Sequence, residues 1–141
     1  MKALTIALAI LGLSLAGCNA VGPYTAKVYR LDGALFMVNV ATWLGSDGGW
    51  PSGSEKLKKT AASIVKDELI ARGLTVQSCE FIQFTPYQGG HMSMTLVAGE
   101  SGAVRKWAAM SEDEFDAELR KRPPLQQALQ FEGRIDNPKR K

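Results

Sequence analysis

Apolar residues recur along this chain at two spacings. From residue 55 to residue 72, Leu57, Ala61, Ile64, Val65 and Leu69 fall on one helical face, and Lys56, Lys59, Lys66 and Asp67 lie largely outside it. This is the strongest helical signal in the chain. Ser52 with Glu55 fits a capping box, Ser54 is an alternative cap, and Gly73 supplies a stop. Residues 91–98 alternate instead: Met92, Met94 and Leu96 share one face, and His91, Ser93, Thr95 and Val97 share the other, which predicts a strand. Residues 26–30 and 34–43 predict two more strands around Asp32-Gly33, a favoured hairpin turn whose central positions both take positive φ. Leu35-Phe36-Met37-Val38 is continuous in apolarity, as in a strand buried on both faces or under a packed helix.

The remaining pattern is read the same way. Residues 74–85 predict a strand broken by Pro86, and residues 87–90 a turn. Residues 99–102 turn again, and 103–108 read as one more strand. Ser111 and Glu114 form a second capping box, opening a helix of about three turns that carries Phe115 and Leu119 inward. Pro123-Pro124 ends it. Residues 125–131 fit a short helix or an edge strand equally. The longest loop is 45–54, Gly-Ser-Asp-Gly-Gly-Trp-Pro-Ser-Gly-Ser. The order β-β-α-β-β-β-α, with hairpins dominant, predicts an α+β fold: an antiparallel sheet of about four to five strands with two main helices packed on one face.

The first nineteen residues follow a different logic. Lys2 gives a positive start, residues 3–15 are an apolar run, and Ala16-Gly17 are small residues before Cys18. The run is short for a membrane span. This segment resembles the signal peptide of bacterial lipoproteins. The resemblance implies cleavage of residues 1–17, diacylglycerol on Cys18, and a further acyl chain, such as palmitate, on the new amino terminus. Each buried CH₂ is worth about 0.8 kcal/mol, so two or three chains anchor a protein almost permanently. Residues 18–25 then read as a lipidated tether, 26–131 as one domain and 132–141 as a basic tail. Sorting in some bacteria uses an Asp after the cysteine to retain a lipoprotein in the inner membrane. Asn19 stands there instead, which implies the outer membrane, facing the periplasm.

Composition narrows the function classes. Hydrophobic residues are 45% and charged residues 22%, as in ordinary globular domains. A net charge of +3 is too small to argue for nucleic acid. Arg134, Lys139, Arg140 and Lys141 crowd the carboxyl end, where they suit anionic headgroups or an acidic partner if they are not simply solvated. With Cys18 lipidated, Cys79 has no partner for a disulfide and reads as a buried, inert thiol.

No constellation points to catalysis. His91 is the single histidine, and no Gly-x-Ser-x-Gly elbow is present. Ser63-Ile64-Val65-Lys66 matches Ser-x-x-Lys, yet it lies deep in the helix and no Lys-Thr-Gly accompanies it. Glu80 interrupts an apolar strand; a buried position would raise its pKa, a solvent-facing one would not. The glycines before the helix of residues 55–72 offer at most a nonspecific anion site. His91, Met92 and Met94 resemble in residue type the ligand sets of small periplasmic copper carriers. Strand alternation turns His91 away from both methionines, which core packing also explains.

Trp43 precedes the long loop and Trp50 lies within it; Trp50 suits an interface anchor or the membrane interface, and equally a residue that covers the end of the following helix. Trp107 reads as core. The sequence therefore predicts a lipid-anchored, non-catalytic envelope protein without a cofactor, binding another envelope protein as an accessory subunit of a secretion, conjugation or assembly complex. Trp50, Trp43, Arg134, Lys139, Arg140 and Lys141 are its candidate contacts. An exclusion or inhibitor factor acting on phage, plasmid transfer or a hydrolase is the second reading. A small-ligand or Cu(I)-binding module is the third.

Overall fold

The computed structural model describes residues 22–43, 55–86 and 91–135. Its elements are β1 (Gly22–Asp32), β2 (Leu35–Trp43), α1 (Glu55–Ala71), β3 (Ser78–Pro86), β4 (His91–Gly99), α2 (Ser101–Ala108), α3 (Glu112–Arg120) and β5 (Gln127–Ile135). The strands form one antiparallel sheet in the order β3-β4-β2-β1-β5. The fold is α+β, as the pattern of strands and helices implies.

The helices divide between the two faces of the sheet rather than sharing one. On the first face, Ala61, Ala62, Val65 and Leu69 of α1 pack with Ala26, Val28, Val38, Val40, Met94, Leu96 and Phe131. On the second, Val104, Trp107 and Phe115 from α2 and α3 pack with Leu31, Leu35, Met37 and Val97. Adjacent positions such as Met37 and Val38 enter different clusters because strand side chains alternate. The continuous run 35–38 thus reflects burial on both sides.

Local chemistry ends each element. The α1 helix closes with Leu74 N–H donating to the Leu69 carbonyl at 3.1 Å and Gly73 N–H to that of Ile70 at 3.0 Å. Gly73, at φ 93°, takes the left-handed position this closure requires. In the β1–β2 hairpin Asp32 pairs with Leu35, so positive φ falls on Gly33 alone (51°) rather than on Asp32 as well. The register shifts at Leu31, whose buried side chain joins the second core.

Residues 103–108, expected as a strand, lie in helix α2. The Glu100 carboxylate accepts from the backbone N–H groups of Gly102 and Ala103, both at 3.1 Å, and caps it. Val104 and Trp107, three residues apart, then face the core together. Ser111 and Glu114 cap α3 reciprocally, as the spacing predicts. Of residues 125–131, 127–131 take the strand alternative, as the first part of β5. Residues 22–25 and 132–135, read as tether and tail, belong to the sheet. Tyr24 is 2% exposed there, edge-on to Phe131 and lying over Gly133, where a Cβ would come within 2.5 Å of its hydroxyl.

Candidate functional site

The register brings several sequence candidates to one end of the sheet. Gly22 pairs with Ile135, Tyr24 with Thr42, Trp43 with His91, and Pro86 with Met92. The chain therefore enters β1, leaves β2, leaves β3, enters β4 and leaves β5 at the same end. Trp43 and His91 are direct cross-strand partners at that end. Arg134 is exposed and pairs with Pro23 on edge strand β5. Cys18, Trp50, Lys139, Arg140 and Lys141 lie outside the described residues.

The copper-type set is not assembled on one face. Met94 is 2% exposed in the α1-side core, and His91 and Met92 are consecutive β4 positions of opposite parity. Among the described residues, no group of three or more His, Cys, Asp and Glu side chains is placed to hold a metal ion. Glu80 is exposed. Ser63 is also exposed, in the interior of α1. The Cys79 thiol is half-buried, and burial pushes its pKa up to about 12, with neighbouring Glu80 adding and Lys66 opposing. At neutral pH it stays protonated and a poor nucleophile.

Sequence reasoning missed a groove between α1 and edge strand β3. One cavity of about 370 Å³ is lined by Lys59, Ala62, Ser63 and Lys66 of α1 with Gln77, Ser78, Cys79 and Glu80. A second, of about 260 Å³, is lined by Glu55, Lys58 and Lys59 with Glu80, Phe81 and Ile82. Lys59 and Glu80 border both. Lys58 is held 3.2 Å from Glu55 and lies over the Phe81 ring at 5.1 Å. Lys59 and Lys66 form no ion pair or hydrogen bond among the described residues. One end of the groove is tied to α2, where Ser78 and Ser101 share a 2.7 Å hydroxyl hydrogen bond and Ser101 N–H donates to Gln77 Oε1 at 3.0 Å. The available signal was the spacing of Lys59, Ser63 and Lys66 down one side of α1. Which strand lies beside them is a tertiary fact that spacing does not carry.

Comparison with protein families, curated proteins and solved structures found no match.

Proposed function

We propose that the chain is a lipid-anchored, non-catalytic envelope protein that binds another envelope protein as an accessory subunit of a larger complex. The observation that carries this reading is the gathering of chain ends at one end of the sheet. Gly22 follows Cys18 by four positions, a reach of at most about 14 Å. With lipid on Cys18, that end lies close to the bilayer. The exit of β5 at Ile135 lies beside Gly22, so the basic residues that follow start near the same surface. The exit of β2, which leads to Trp50, is also there. Helices α2 and α3 extend from the opposite end, where β4 finishes at Gly99. Such an arrangement holds a small domain at fixed height above one leaflet, suited to a neighbour in the same membrane.

The test is a crosslinked pull-down of the lipidated protein from its native membranes beside a Cys18→Ala control, with labelled palmitate followed in parallel. The expected result is label on the wild type alone and a stoichiometric envelope partner retained only by the anchored form. Absence of label on the wild type would remove the anchor. A labelled protein without a partner would remove the accessory role and turn attention to small ligands.

A further inference from the structure

We propose that the groove between α1 and β3 takes an extended acidic segment of a partner protein, which adds to the free edge of β3 as a sixth strand. This rests on the reading of the protein as a binding module and assigns the binding surface within it.

Three observations carry the assignment. First, among the described residues β3 is the outer strand of the sheet, with β4 on its inner side and no described strand on the other. Its outward backbone N–H and C=O groups are a template for a further strand. Second, the two cavities are lined by the unbroken run Gln77, Ser78, Cys79, Glu80, Phe81 and Ile82. Consecutive strand residues point to opposite faces, so a groove bordered by all of them follows the edge of the strand rather than one face. Third, the facing wall presents Lys59, Ser63 and Lys66. Both lysines lack an ionic partner among the described residues, while Lys58 is already matched by Glu55. Glu80 leaves a net positive wall, which favours an acidic occupant.

The same geometry limits the contact. The register of β3 shifts between Phe81 and Gln83, and the resulting bulge at Ile82 interrupts a regular ladder. Added pairing is therefore confined to Ser78–Phe81, with Gln77 fixed by α2 at the near end. A ladder this short gives modest affinity, and the lysines supply selection by charge.

The experiment selects random decapeptides displayed on phage against the mature lipidated chain held in lipid nanodiscs. The expected pool is enriched in Asp and Glu. A peptide from it should slow amide hydrogen exchange at 78–81, and N-methylation of alternate peptide residues should abolish binding. Lys59→Glu with Lys66→Glu should weaken binding about tenfold at low salt. Ser63→Trp, which fills the groove from an exposed helix position, should weaken it without reversing charge. Thermal melts of both variants show whether the fold is retained. No enrichment, a pool without acidic bias, binding by both variants as tight as that of the wild type, or protection at β5 in place of β3 would each overturn the assignment. A native partner retained undiminished by the lysine double variant would refute this groove and leave the accessory-subunit reading standing.

Discussion

The two faces of the sheet are closed by different means. The α1 face is covered by one seventeen-residue helix whose small and aliphatic side chains meet residues from all five strands. The opposite face is covered by two short helices, of eight and nine residues, each fixed by side-chain hydrogen bonds at its N-terminus. Helices this short are marginal alone and depend on caps and packing. An aromatic pair, Trp107 edge-on to Phe115 at 5.6 Å, supplies the bulk there. Arg122 locks the arrangement, lying 5.2 Å over Trp107, donating to the Leu31 carbonyl at 3.2 Å and approaching Asp32 at 3.7 Å. One face thus rests on periodicity, the other on a few specific contacts.

The largest effects should come from removing the central side chain of each face. Phe115→Ala should cost about 4 kcal/mol, since Phe115 is 1% exposed and is the wholly buried side chain that α3 supplies. Leu69→Ala, at a wholly buried α1 position, should cost about 3 kcal/mol. Urea unfolding followed by far-ultraviolet circular dichroism measures both. The contrast sharpens in hydrogen exchange: Phe115→Ala should deprotect α2 and α3 ahead of the sheet, whereas Leu69→Ala should lower protection across it. Equal deprotection patterns would mean that the faces are one cooperative unit.

Each face holds one buried polar atom with no hydrogen-bond partner among the described residues, Arg122 Nε beside Trp107 and a phenol hydroxyl on the α1 side, and the phenol gives the next test. The Tyr24 hydroxyl is buried on the α1 side with no hydrogen-bond partner among the described residues. Burial pushes its pKa from 10.0 up to about 12, with Glu68 reinforcing and Arg72 opposing the rise. The stabilising difference is fully present below pH 10, where both folded and unfolded chains keep the proton. Above pH 10 the unfolded chain ionises first, so stability falls by about 2–3 kcal/mol as pH climbs to about 12. Tyr24→Phe should lose nothing at pH 7, because no hydrogen bond is broken, and should flatten this alkaline decline relative to wild type. Denaturant midpoints of the two proteins from pH 8 to pH 12 decide it; parallel curves would mean the hydroxyl is solvated.

This contrast also accounts for what the sequence disclosed. The α1 helix was legible because Ala61, Val65 and Leu69 repeat at helical spacing, and α3 because Ser111 and Glu114 stand three apart. The α2 helix was not. Its inward face consists of Val104 and Trp107, too few positions to establish a period, and glutamate at its cap is not among the favoured capping residues. The distribution of helices over both faces was hinted at by the run 35–38 without being assigned. The sheet limits at Gly22 and Ile135 depend on Tyr24 meeting Phe131 and Gly133 across more than one hundred residues, which no local pattern reports. At the candidate sites, strand order alone places Arg134 beside the chain entry and Lys59 and Lys66 beside an open edge.

The smallest expected effect probes the caps directly. Ser111→Ala removes the hydroxyl that accepts from Glu114 N–H at 3.1 Å and should cost about 1 kcal/mol. Glu100 offers the same test by pH. Its carboxylate is held below the ordinary value of 4.5 by the Gly102 and Ala103 N–H groups first, with desolvation opposing them and Arg105 adding the least. A depressed folded pKa means that the cap contributes above 4.5 and is lost as pH falls through the lower folded value. Protection factors at Val104 and Trp107 should therefore drop on acidification before those of Val65 and Leu69, and Glu100→Gln should remove the pH dependence of that drop. If α1 loosens first in acid, the long helix rather than the capped pair is the weaker covering, and the division between periodicity and specific contacts does not describe this fold.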